Sequence, residues 1–474
     1  MLRRFPLSWT VAALSLASLL VILSAPAQYF GRQHDDVLFV IATQALSYGS
    51  YRLFTSPGMP PLTIVTPGFP AVLMPVHWLA GDWPAAYQAF CALVLAACPW
   101  LAWLWLRRRL DPSSALFCAL LLATSPLTLS QSGTVMPEGI YLALFCLWLL
   151  VEEHRSLDRW PGPLLLALTQ VRPAGFSALP AAVAGSLLAR RWKEAALRLA
   201  WPAAGAAAWF LWCRAQSSRP HEIFEWSVTF QEGAVARVEE VVWSNLQYYL
   251  GSLGSCFLPA ALGSSLAALV LGSVLGLLAA LGAGRAMAKD RACKEAWALG
   301  AAGLMHAFWG WQYERYLIPL IPLLLWAGAK ALGRFSGGFL GLLLGLQLIF
   351  HGADFLKPGA WSEPELKRTY AWIRENTDPS DVLASLLYAR DGYYALRPNV
   401  AVPSTENSSE LARALRLRQA RLVLWQEQLD LGLTGAGSAL SRRIDQVGEQ
   451  LKDGRRFKLL FADPREKSSV YEVL

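Results

Sequence analysis

The sequence predicts an α-helical polytopic membrane protein with about eleven transmembrane helices over residues 1–351, followed by a small α/β domain over residues 352–474. Three observations carry this prediction. The 474 residues are 55% hydrophobic and only 16% charged, well below the quarter usual for soluble domains. Apolar runs approaching the ~20 residues that a bilayer-spanning helix needs recur as far as residue 351. Beyond it charges become frequent and apolar runs short.

The first span is expected at 8–28. Arg3 and Arg4 precede its apolar run, as in a signal peptide, but a run of about 20 residues is long for a signal core and right for an uncleaved helix. Further spans are expected at 84–106, 112–132, 137–151, 160–172, 174–189, 196–215, 257–284, 294–309, 315–332 and 335–351. The stretch 67–81, PGFPAVLMPVHWLAG, is apolar but short and holds three prolines. Kept within the first outer loop as a half-buried segment, it leaves the basic clusters at Arg107 to Arg109, Arg190 to Lys193 and Arg285 to Lys294 on the cytoplasmic side. The net charge of +8 is then loop charge of a membrane protein. It does not argue for a nucleic-acid partner. The seven cysteines lie mostly inside apolar runs without CxxC spacing, so they read as small buried hydrophobes.

This topology puts the amino terminus inside and the tail outside the cytoplasmic membrane. It also brings Asp35, Asp36, Glu138, Glu222, Glu225, Glu232, Glu239, Glu240 and Glu314 to the outer face. Adjacent carboxylates beside a span, as in HDDVLF, are costly near hydrocarbon and mark candidates for chemistry; a solvated acidic turn is the alternative. A short hairpin at 160–189, turning at Pro173 and Gly175, leaves Arg172 near the outer end, where the alternative role is snorkelling to the interface. Residues 216–256 form a second outer loop whose Trp, Tyr and Phe among charges suit interfacial helices. A third turn, FWGWQYERYLIP, holds Glu314 and Arg315, for which mutual pairing is the alternative to binding.

In the tail, Ser362 with Glu365 reads as a capping box for a helix through Asn376, VLASLLY as a strand, and Asn407 with Glu410 as the cap of a second helix. RLVLW, FKLLFA and SSVYEVL read as further strands, the last two as a closing pair. Alternating strands and helices predict an α/β domain able to fold alone.

Six stretches in order, HDDVLFVIATQALSYG, PGFPAVLMPVHWL, SPLTLSQSGTVMPEG, TQVRPAG, YERYLIPLIP and YAWIRENTDPSDVLASLLYARDGYYALRPNVAVP, resemble the GT-C superfamily of membrane glycosyltransferases over nearly the whole chain. They are similar to the protein O-mannosyltransferases and the aminoarabinose transferase of lipid A. The resemblance implies sugar transfer from a polyprenyl-phosphate donor at the outer membrane face, with inversion, to a protein hydroxyl, lipid A or another glycan. Such a donor needs no nucleotide cofactor, and the chain holds neither GxxxxGK[ST] nor GxGxxG. By position, Asp35 corresponds to the proposed base and Asp36 to the glutamate that usually follows it, which leaves open which carboxylate meets the acceptor. Glu138 corresponds to the acid of the second outer loop, where it binds acceptor or shares Mg²⁺ or Mn²⁺ with Asp35; a helix-dipole charge after Pro137 is the alternative. Arg172 and Arg315 are candidates for clamping the donor phosphate, and His34 for ligating a metal or relaying a proton. A transporter or flippase of lipid-linked or small polar solutes and a surface-glycan polymerase or ligase are the competing classes. Charges gathered at one face rather than at the bilayer midplane count against transport.

Overall fold

A computed structural model of the protein describes residues 6–25, 29–153, 159–216, 234–258, 265–309, 312–352, 366–403, 405–427 and 446–474. Each predicted span overlaps a helix, and Pro84–Leu106 matches its expected bounds. Prolines set many of the starts, since a first-turn proline gives up no helical hydrogen bond. Pro112 follows Asp111, whose carboxylate caps the amides of Ser113 and Ser114 at 3.1 and 3.0 Å. Pro126 also splits the expected 112–132 span, so Pro112–Thr124 and Pro126–Gln131 are separate helices. Likewise the segments expected to begin at 174 and 315 open as 3₁₀ turns, Pro173–Ala178 and Glu314–Leu320, before Leu179–Leu188 and Ile321–Leu332.

Among the described residues four helical stretches are long and apolar enough to cross a membrane by length and composition: Leu7–Ser24, Pro84–Leu106, Ser265–Lys289 and Glu314–His351. Leu7–Ser24 and Ser265–Lys289 turn Leu16, Leu23, Leu266, Val270 and Leu277 outward. Such an apolar exterior around a core holding Trp105, Trp148 and Trp326 is that of a membrane protein. The expected half-buried segment is the helix Gly68–Ala80. Of the second outer loop, residues 217–233 and thus Glu222, Glu225 and Glu232 lie outside the described residues. Its remainder is the helix Ala234–Ser255, which buries Val241 and Asn245. All seven cysteines are free, and six are buried.

In the tail, five strands form one sheet in the order β2-β1-β3-β5-β4. β1 (Val382–Ser385) lies parallel to β2 (Asn399–Ala401) and β3 (Ala420–Gln426), while β5 (Ser468–Val473) runs antiparallel to β3 and to β4 (Phe457–Asp463). Alternate residues pack on opposite faces: Val423 and Trp425 with Leu411 and Leu415 of helix Ser408–Leu417, Leu422 and Leu424 with Tyr370 and Ile373 of helix Lys367–Asn376. Both faces being covered explains why RLVLW is apolar throughout. The expected cap holds: the Asn407 side chain accepts from the Glu410 amide at 2.9 Å. The Ser362 to Glu365 cap lies outside the described residues. VLASLLY is strand only over its first four residues; the chain then turns into a helix, Tyr388–Ala395, that the apolar run concealed.

Candidate active site

Asp35 and Asp36 open the helix Asp35–Ser47, and neighbours on a helix point about 100° apart. They therefore meet different surroundings. Asp36 is buried and accepts from the amides of Gly31 at 2.9 Å and Val37 at 3.0 Å. Burial pushes its carboxyl up to about 7, against those two amides, which pull it down. Asp35 is 41% exposed and turns its Oδ2 to Arg315 Nη2 at 3.1 Å.

Glu138 begins the helix Glu138–Val151 directly after Pro137 and is 1% exposed. Its Oε1 faces Arg172 Nη1 at 2.5 Å and Arg315 Nε at 3.2 Å, while its Oε2 makes no hydrogen bond among the described residues. Arg172 is the extended residue between helix Pro161–Val171 and the 3₁₀ turn that follows. That hairpin closes tightly because Gly175 rests on the backbone of Leu168, leaving no room for a Cβ. Arg315 is the second residue of its own 3₁₀ turn and is almost wholly buried. Its Nη1 donates to Gln33 Oε1 at 2.5 Å.

Asp35, Glu138, Arg172 and Arg315, drawn from four distant stretches, thus meet at one end of the helices. The guanidinium of Arg315 lies between the two carboxylates. Tyr316 receives Arg172 at 4.6 Å and Arg315 at 5.7 Å from its ring centre, and Tyr313 receives Arg315 at 4.2 Å. The ring quadrupole attracts both cations without neutralising them. Asp36 does not reach this group. Glu314 is exposed, and Arg315 turns to Asp35 and Glu138 in place of its sequence neighbour. His34, at φ 55°, lies edge-on to Tyr388 with ring centres 5.2 Å apart, and its buried Nδ1 has no hydrogen-bond partner among the described residues. Burial lowers its basicity more than Asp35 and Asp391 raise it, which favours the neutral imidazole.

Sequence reasoning missed Gln33, Tyr313 and Tyr316 as parts of this group. The signal was present for the tyrosines, because YERY sets an aromatic residue next to Arg315 and another two before it. Chemically the cluster offers one accessible carboxylate beside two guanidiniums, which suits proton removal next to a developing anion. Among the described residues no group of three or more His, Cys, Asp or Glu side chains is arranged to hold a metal ion.

No family model matches the chain, and no curated protein sequence matches it. Solved structures do. ArnT from Cupriavidus metallidurans bound to undecaprenyl phosphate superposes with a TM-score of 0.57 at 12% identity, over 98% of this chain and 98% of that one. The oligosaccharyltransferase AglB from Archaeoglobus fulgidus, in complex with an inhibitory peptide and a dolichol-phosphate, gives 0.54 at 13% identity over 88% of this chain and 69% of that one. The oligosaccharyltransferase of Archaeoglobus fulgidus in complex with Zn and sulfate gives 0.53 at 13%, over 87% and 67%. The chain has the fold of the GT-C membrane glycosyltransferases.

Proposed function

We propose that the protein is a glycosyltransferase that moves a sugar from a polyprenyl-phosphate-linked donor to an acceptor hydroxyl at the outer face of the cytoplasmic membrane, with inversion. The observation that carries this reading is the accessible carboxylate of Asp35, held 3.1 Å from a buried guanidinium that also faces Glu138. In support, the structurally similar ArnT and AglB were solved with undecaprenyl phosphate and a dolichol-phosphate.

In this reading Asp35 takes the proton from the acceptor hydroxyl as its oxygen attacks the anomeric carbon. The bond from that carbon to the donor phosphate oxygen breaks, and its electrons leave with the phosphate. Arg172 and Arg315 neutralise that charge, and guanidinium forks suit phosphate oxygens. Glu138 is a positioning residue, aligning both guanidiniums through one oxygen. Asp36 anchors the turn before Asp35 through the Gly31 amide. Residues 1–351 are the transferase domain and 352–474 an extracytoplasmic domain.

Mg²⁺ or Mn²⁺ shared by Asp35 and Glu138 does not fit these residues. The cation between the two carboxylates is Arg315, and a divalent ion would have to displace it. No step is assigned to a metal.

Purified protein in proteoliposomes, given a radiolabelled sugar on polyprenyl phosphate together with envelope acceptors, tests the function. Label covalently joined to an acceptor supports it; label that crosses the bilayer without forming a bond contradicts it and supports transport. Cysteines at the exposed positions Glu406 and Lys289 test the sidedness: a membrane-impermeant thiol reagent added outside labels the first and not the second.

A further inference from the structure

The helix Tyr388–Ala395 packs on the turn that precedes Asp35, across more than 350 residues of sequence. The Tyr394 hydroxyl donates to the Phe30 carbonyl. Tyr393 meets the Phe30 ring edge-on at 5.2 Å, Tyr394 meets Tyr29 at 6.4 Å, and Tyr388 meets His34 at 5.2 Å. Between them Gly31, at φ +92°, comes so near that an added Cβ would stand 3.1 Å from the Tyr394 ring and 3.2 Å from Arg390 Cγ. Only glycine takes that conformation without strain and admits the helix so closely. The same Gly31 donates to Asp36. One turn is therefore gripped from the tail on one side and by Asp36 on the other.

The gripping helix is itself firmly seated. Asp391 Oδ1 accepts from Arg390 Nε at 2.9 Å and from the Tyr370 hydroxyl at 2.7 Å, and Arg390 Nη2 reaches Gln426 of the sheet at 3.2 Å. Tyr370 stacks on Tyr394 with ring centres 5.5 Å apart. A second contact ties the tail to the same outer loop, with Asn399 N donating to Thr55 O at 2.9 Å and Ser56 Oγ donating to Asn399 O. A hydrogen-bonded, stacked helix is a rigid support, whereas a turn of six residues at the head of a short helix is not.

We propose that the tail helix Tyr388–Ala395 holds the acid turn, with Tyr394 as the positioning residue that fixes the direction of Asp35 toward Arg315. The tail is then part of the working geometry of the site. This rests on the transferase reading for its kinetic consequence, but not for its structural one.

Amide hydrogen exchange on the full-length protein in detergent tests it. In Tyr394→Phe, which keeps the stacking ring, loss of one hydrogen bond should speed exchange in peptides covering 29–38 by roughly fivefold. Helix 367–376 should be unchanged. Tyr394→Ala should give a larger effect in the same peptides. In the transfer assay Tyr394→Phe should lower kcat while leaving the KM for donor unchanged. Unaltered exchange at 29–38 in both variants would overturn the proposal, as would an equal rise throughout the tail, which would make Tyr394 a fold residue only. Absence of transfer by the wild-type protein would count against the transferase reading and leave the exchange result standing.

Discussion

The helix Glu138–Val151 has a carboxylate 1% exposed at each end, and the two ends make an instructive pair. At one end Glu138 lies between Arg172 and Arg315; just beyond the other, Glu152 lies between Arg198 at 3.0 Å and Lys294. Among the described residues each acid also leaves one oxygen with neither an ion pair nor a hydrogen bond, Glu138 Oε2 and Glu152 Oε1. A buried acid between two cations is therefore no mark of a site here. The far end continues into further ion pairs: Arg108 and Arg109 with Glu153 and Arg109 with Glu295 join separate segments, and Arg198 with Glu194 lies within one helix. The near end continues into an exposed carboxylate, two tyrosines over the guanidiniums and a second domain gripping the acid turn. What separates them is an accessible group whose position is fixed by others.

The largest effect is expected where that accessible group is removed. Asp35→Asn should lower single-turnover transfer roughly 100-fold or more, as for loss of a positioned base, while the thermal midpoint stays at the wild-type value. Asp36→Asn should act on the turn and cost less. Equal and near-wild-type turnover in both would take this loop out of the chemistry.

Removing the clamp comes next. Arg172→Ala and Arg315→Ala should each raise the KM for donor roughly 10- to 100-fold, the worth of charge-assisted bonds to a phosphate. Unchanged KM in both would leave these arginines as structural partners of Glu138, like the far-end cations.

The far end gives the converse result. Glu152→Gln should cost roughly 1–3 kcal/mol of stability, below the value for a fully buried pair because Arg198 and Lys294 are partly exposed. The rate of transfer per folded molecule should not change. A fall in turnover with no loss of stability would erase the distinction between the two ends.

The smallest effect is one of pH. Asp36 ionises at about 7 in the folded protein, raised from 3.8 by burial, so folding retains a proton that the unfolded chain releases. Its contribution is full below the unfolded value and is lost as pH rises through about 7. The groups acting on it besides burial are Asp35, which raises it, and Arg315 and the two amides, which lower it. The thermal midpoint should fall between pH 5 and 8 more steeply in the wild type than in Asp36→Asn; identical slopes would contradict this origin.

Much of this comparison was legible in the sequence. Hydrophobic runs located the helices because burial in lipid or core is decided by neighbours along the chain. Asp35, Arg172 and Arg315 stood out as charges at the ends of apolar runs, and Glu138 was singled out from the other outer-face acids by the GT-C resemblance. What was not legible depended on contacts between remote residues. Ser125 and Pro126 break a run that composition alone joins, and helix Tyr388–Ala395 follows an apolar stretch that reads as strand. The tail was expected as an α/β domain able to fold alone, and no local pattern showed that Tyr394 reaches Phe30, where aromatic rings on one short helix face fit a turn made with glycine at 31. The different surroundings of Asp35 and Asp36 were likewise not legible: the helix start turns Asp36 inward and leaves Asp35 accessible.

The most direct test of the account needs no acceptor. The affinity of the purified full-length protein for undecaprenyl phosphate should be compared in wild type, Arg315→Ala and Glu152→Gln. The account predicts binding weakened roughly 10- to 100-fold in Arg315→Ala and unchanged in Glu152→Gln. Wild-type affinity in Arg315→Ala, or equal weakening in both variants, would contradict it.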